Sequence, residues 1–175
     1  MKTSVKALFY VSLFTGILAF HNKTRESNTF DYKGNTFQIP HAYLETYGMH
    51  PDKRSYDYDV HLGSEIKADF TKTLALNYIY FDLHSDNPAT ISAGTYKFRE
   101  TEDKERDPFT FTGAEVLIKY DLSSKNGESL YATDGTIKVS QWKDKYVIEF
   151  QLKLDNNEVV EGVYKGKLMN WEAGV

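Results

Sequence analysis

Residues 134–152 read DGTIKVSQWKDKYVIEFQL. Ile137 and Val139, and then Tyr146, Ile148, Phe150 and Leu152, fall at every second position with Lys138, Glu149 and Gln151 among the residues between them, and a charged turn around Lys143-Asp144 breaks the run. Side chains alternate across a strand, so this spacing describes two strands of a hairpin that share one buried face. The same pattern continues outward. Strands are expected over 135–142, 145–154 and 158–168 as consecutive hairpins, with DNN (155–157) as the second turn. In the last of these Val160, Gly162, Tyr164, Gly166 and Leu168 share a face, and glycines inside a strand mark a bend or room for a large neighbour. Sheets that coil need such positions.

Upstream the alternation recurs. TFDYKGNTFQI (29–39) turns about KGNT and stops at Pro40, and AYLETYG (42–48) is a further short strand or a helical turn. SYDYDVHLG (55–63) sets Tyr56, Tyr58, Val60 and Leu62 against Asp57, Asp59 and His61. LALNYIYFDLHS (74–85) carries Ile79, Phe81 and Leu83 on one face and Tyr78 and Tyr80 on the other, which suits a central strand or one with a covered outer face. TYKF (95–98) and FTFTGAEVLIKYDL (109–122) follow, separated by the charged loop RETEDKERDP (99–108), and SSKNGES (123–129) is a turn. Strands at this spacing without an amphipathic helix predict an all-β domain of about 8–10 strands, either an antiparallel barrel or a strongly coiled sandwich. The predicted core comprises Tyr58, Val60, Ile79, Phe81, Tyr96, Phe98, Val116, Ile118, Ile137, Val139, Tyr146, Ile148, Phe150, Leu152, Tyr164 and Leu168.

AGTYKF (93–98), FTGAEVLIKY (111–120), the 134–154 hairpin and EGVYKGKL (161–168), together with FDYKGNTFQI near the start, resemble in order a pattern found in exported β-rich proteins of Gram-negative bacteria. That family consists largely of uncharacterised lipoprotein-type chains, and the resemblance implies a calycin- or lipocalin-like barrel. One departure is clear. The family often ends its signal with an acylated Cys, whereas LAFHNKT (18–24) offers none.

The chain of 175 residues is 41% hydrophobic and 26% charged, which fits one globular domain. Residues 1–20 stand apart: MKTSVK is basic, ALFYVSLFTGILAF (7–20) is continuously apolar, and HNKTRESN is polar. This is the layout of an export signal, and it is short for a membrane span. The expected organisation is therefore a signal or anchor at 1–20, a polar tether at 21–28 and one β-domain at 29–175. A periplasmic or extracellular location follows, with no span in the mature chain. The net charge of −4 and the lack of any polybasic cluster exclude nucleic-acid binding through a diffuse basic field. With no cysteine, disulfides, thiolate metal sites and thiol nucleophiles are excluded.

Chemistry-bearing motifs are sparse. His21, His41, His50, His61 and His84 are scattered, and neither H-E-x-x-H nor G-x-S-x-G occurs, so no enzymatic activity is expected. The charged loop lacks the glycine of a calcium loop, and NKT (22–24) matches a glycosylation sequon. Asp57, Asp59 and His61 are the candidate metal ligands. Three ligands along one strand cannot enclose an ion without help from a neighbour, so a solvated outer face is expected and no cofactor is assigned. Tyr58, Tyr96, Tyr146 and Tyr164 are the candidate ligand-binding residues, because buried hydroxyls need partners and a cavity could supply them. The functional expectation is a non-catalytic exported protein that binds a small molecule or envelope component in an aromatic-lined interior. The alternative is an envelope interaction protein using a sheet edge or the Tyr78/Tyr80 face. Mass spectrometry of envelope fractions should find a chain beginning near residues 20–22 and carrying no lipid; a full-length cytoplasmic product would refute export.

Overall fold

The computed structural model describes residues 26–72, 75–100 and 105–171, and only the backbone of residues 68, 70 and 71. The expected signal at 1–20, the sequon at 22–24, residue 74 and the centre of the charged loop lie outside these. The strands are β1 (Thr29–Tyr32), β2 (Asn35–Gln38), β3 (His41–Met49), β4 (Tyr56–Gly63), β5 (Leu76–Ser85), β6 (Gly94–Phe98), β7 (Thr110–Asp121), β8 (Asn126–Trp142), β9 (Lys145–Leu154), β10 (Val159–Gly166) and β11 (Met169–Asn170). A 3₁₀ turn spans Lys67–Lys72. All eleven strands join one sheet in the order β11-β3-β4-β5-β7-β6-β8-β9-β10-β1-β2.

The architecture is all-β, in one strongly curled sheet rather than two packed sheets. β2 and β3 lie at opposite ends of the strand order, β3 bordered only by the two-residue β11, yet they are separated in sequence by Ile39-Pro40 alone. Pro40 has no N–H to contribute to a ladder, so one extended segment turns there and serves both ends of the curl. The turn expected about KGNT, with Gly34-Asn35 as its positive-φ pair, forms one residue earlier, at Lys33 and Gly34, and Asn35 begins β2. The segment at 42–48 is a strand, and β8 starts earlier than expected, at Asn126. The sheet is mixed: β6 runs parallel to β7 and β11 parallel to β3. β6 wedges between β7 and β8, so these two strands pair at Glu115↔Tyr131 and beyond but fork apart on the other side, where β8 pairs with β6.

The inside of the curl is one core fed by β1 and β3 to β10. The predicted hairpin register holds: Ile137 faces Phe150 and Val139 faces Ile148. Tyr146, Ile148, Phe150, Leu152 and Leu154 are buried, while Lys138 and Glu149 pair outside at 3.6 Å. Of the predicted core, Phe98 and Leu168 are only partly buried against it. The Phe150 ring lies directly over Gly162, its partner on β10, and meets Phe81 of β5 edge-on at a centroid distance of 5.3 Å. A Cβ at Gly162 would also stand 2.7 Å from the Thr29 carbonyl oxygen and 2.8 Å from Phe30 Cβ.

Two substitutions test this packing. Phe150→Ala should cost about 3–5 kcal/mol in denaturant unfolding through the cavity it leaves. Gly162→Ala should cost about 1–3 kcal/mol despite the stronger strand propensity of alanine, because the ring has nowhere to go. A neutral Gly162→Ala would refute the close approach.

Candidate binding site on the outer face

The four candidate tyrosines of the interior are all buried, and each hydroxyl already has a protein partner. Tyr58 donates to the Asn87 carbonyl at 2.9 Å, Tyr96 to that of Ser92 at 2.9 Å and Tyr164 to that of Lys167 at 2.7 Å. Tyr146 pairs with the Thr90 hydroxyl at 2.7 Å and accepts from Gln141 Nε2 at 3.0 Å. Clefts of about 420, 290 and 190 Å³ open on the protein, and none of these three is lined by those rings. The largest sits at the β6 fork, walled by Phe98, Thr112, Gly113 and Tyr131.

The outer face of β3, β4 and β5 is where polar groups are buried. Period two sends Asp57, Asp59 and His61 of β4 to that side. Cross-strand pairing places Glu45 of β3 opposite Asp59, and Tyr80 of β5 opposite His61. Asp59 and His61 are buried, not solvated as the alternation alone suggests. The cover comes from aromatic groups. Trp171, which follows β11, stacks on the His61 ring at 4.0 Å, and Lys67 of the 3₁₀ turn sits over the indole at 4.2 Å. Lys67 Nζ also donates to the Trp171 carbonyl. The Tyr80 hydroxyl donates to Asp59 Oδ1 at 2.9 Å, and the Tyr78 hydroxyl meets His61 Nδ1 at 2.5 Å.

Among the described residues, one buried side-chain atom of this pocket lacks a hydrogen bond. His61 Nε2 is buried without a partner and lies 3.6 Å from Glu45 Oε2. Glu45, Asp59 and His61 each offer a donor atom, and these atoms lie within 4.8 Å of one another. The sequence named Asp59 and His61; it missed Glu45, whose contribution depends on which strand lies beside β4.

Asp57, the third expected ligand, goes elsewhere. Its Oδ1 pairs with His84 Nδ1 at 2.9 Å, His84 Nε2 lies 3.2 Å from Thr112 Oγ1, and the Thr112 hydroxyl donates to Asp82 Oδ2 at 2.5 Å. A hydroxyl, an imidazole and a carboxylate in a row are the parts of a nucleophilic relay. Here Thr112 and His84 are buried and the hydroxyl proton is committed to Asp82, so the row ties β4, β5 and β7 together.

Electrostatics set the pocket apart from ordinary surface. Burial pushes the Asp59 carboxyl up to about 6 against hydrogen bonds from Tyr80 and Tyr47, and the Asp82 and Glu45 charges add to the rise. Burial, with the Lys67 charge, lowers the His61 imidazole to about 4. Burial also raises the Tyr78 and Tyr80 hydroxyls well above their usual range, assisted by Glu115 at Tyr78 and by Asp59 at both. Lys67, held over the Trp171 ring, is the cation at the edge of the pocket, while Asp59 and His61 are held away from water. No family model, no curated protein and no solved structure matches this chain.

The two shifts oppose each other in the pH dependence of stability. The ordinary Asp59 value is 3.8, so between about 4 and 6 the folded chain holds a proton that the unfolded chain has released, and stability falls as pH rises. His61, ordinarily at 6.5, behaves in reverse: between about 4 and 6.5 the unfolded chain binds a proton that the folded chain excludes, so stability falls as pH falls. In chelator-containing buffer, Asp59→Asn should therefore gain stability from pH 4.5 to 6 relative to the parent, and His61→Gln should lose it. Urea midpoints that move in parallel for the two variants would contradict this arrangement.

Proposed function

We propose that this chain is an exported, non-catalytic binding protein whose ligand is a small cation, held in the polar pocket outside β3, β4 and β5 rather than within the curl. The observation that carries the reading is the unpartnered, buried His61 Nε2 facing the Glu45 and Asp59 carboxylates. A buried polar atom without a partner costs stability, and a ligand that pairs with it recovers that cost. Export rests on the basic start and the 14-residue apolar run of 7–20. The interior loses its motive as a site because its tyrosine hydroxyls are already matched by protein groups.

A second reading, an envelope interaction protein, draws on the same face. Tyr47 and Met49 are exposed on β3, and among the described residues β11 covers only Tyr43 and Leu44 of that strand. An extended partner could add there as a further strand.

Thermal shift of the full chain against small metal ions and organic amines, with neutral and anionic counterparts, separates these readings. A cation at 100 times its Kd should stabilise by about 2.7 kcal/mol, a rise of roughly 5–10 °C. That rise should vanish in Asp59→Asn and persist in Tyr164→Phe. Stabilisation by neutral ligands that is lost in Tyr146→Phe and Tyr164→Phe would return the site to the interior.

A further inference from the structure

We propose that Glu45, Asp59 and His61 hold a divalent first-row transition ion, zinc foremost, an inference that rests on the small-cation reading above and names the cation. The geometry follows from the sheet. Asp59 and His61 are two residues apart on β4 and share a face, and Glu45 is the direct cross-strand neighbour of Asp59, so three donors converge on one point of the surface. Ligands on a tetrahedral ion at about 2.1 Å stand about 3.4 Å apart. The His61 Nε2 to Glu45 Oε2 separation of 3.6 Å already fits, and the full set, within 4.8 Å, needs only a small contraction. Glu45 is the least buried of the three and has the longer carboxylate arm, so it has the most freedom to adjust to an ion.

The surrounding groups are those that orient metal ligands. A ligating imidazole donates its other ring N–H to a neighbour, which fixes the tautomer and turns the lone pair to the ion. Tyr78 stands at Nδ1 in that role, leaving Nε2 free of hydrogen bonds, and the Trp171 stack limits ring rotation. Tyr80 donates to Asp59 Oδ1 and Tyr47 also hydrogen-bonds to this carboxylate, so an entering ion displaces the Tyr47 contact. Two carboxylates and a neutral imidazole balance the charge of a 2+ ion, and the Lys67 ammonium is held apart from them by the Trp171 ring and carbonyl. Imidazole with carboxylate suits zinc and its first-row neighbours. Calcium and magnesium call for six or more oxygen ligands, and this pocket presents two carboxylates. Three protein ligands leave a fourth position for water or a further group.

The test uses the full chain, stripped with a chelator and titrated with Zn²⁺ by calorimetry, alongside the absorption spectrum of the Co²⁺ form. One ion per chain is expected, with the intense visible bands of a tetrahedral Co²⁺ site. Glu45→Gln and His61→Phe, the latter keeping a ring against Trp171, should each weaken binding at least 100-fold. Tyr78→Phe should weaken it roughly tenfold, in line with loss of an outer-shell partner, and Asp57→Asn should leave it unchanged. Circular dichroism of each variant checks that it is folded, and Glu45→Gln, being near-isosteric at a partly exposed position, covers the case in which His61→Phe does not fold. No stoichiometric zinc binding, or binding that survives in folded Glu45→Gln, overturns the inference. If zinc fails while an organic amine still stabilises the chain through Asp59, the metal assignment falls and the cation pocket stands; if neither binds, both fall.

Discussion

The Phe150 ring lies on bare backbone at Gly162, and the close packing of β9, β10 and β1 depends on that contact. With no side chain at Gly162, β10 approaches the ring closely, and Phe30 Cβ and the Thr29 carbonyl close in from β1 on the far side. The ring then reaches across the curl to Phe81. A strand glycine alone weakens a sheet; one covered by an aromatic ring exchanges that loss for packing and bends the strand inward. Such rings and the aliphatic side chains around them pack the inside of the curl as one buried cluster.

That filling has a consequence for the other side of the sheet. β4 and β5 each carry polar residues at alternate positions, and in an open sheet these would meet water. Here Trp171, which follows β11, and Lys67 lie over part of them, so Asp59 and His61 are buried on a face whose composition is that of a surface. Polar groups held in that position must find partners. The Asp57–His84–Thr112–Asp82 row does so completely, while the Glu45–Asp59–His61 group does so only in part. The contrast between two neighbouring clusters, one matched and one unmatched, separates the structural lock from the candidate site.

Local irregularity in the ladder contributes to the lock. The register between β5 and β7 shifts between Asp82 and Leu83, so Asp82 faces Gly113 while Leu83 faces Phe111. Thr112 is the extra residue at that shift, and its hydroxyl lies between His84 and Asp82. A bulge of this kind re-aims one side chain, and the same place opens the fork in which β6 sits.

Alternation by itself determined the class of fold, the burial of Ile137, Val139, Ile148, Phe150 and Leu152, and the fact that Asp57, Asp59 and His61 share the opposite side from Tyr58 and Val60. Those properties depend on the two-residue period of a strand, which is a local property of the chain. What lies beside or above a strand is not local. Glu45 is 14 residues from Asp59 and Trp171 is 110 residues from His61, and only strand pairing and the return of the chain through β11 bring them together. The same reason applies to the hydroxyls of Tyr58 and Tyr146, whose partners Asn87 and Thr90 lie far along the chain, whereas Tyr96 and Tyr164 are satisfied locally by the carbonyls of Ser92 and Lys167. Asp57 and Asp59, two residues apart with the same chemistry, are sent to different tasks by their neighbours, one to His84 and the other to the pocket of Glu45 and His61.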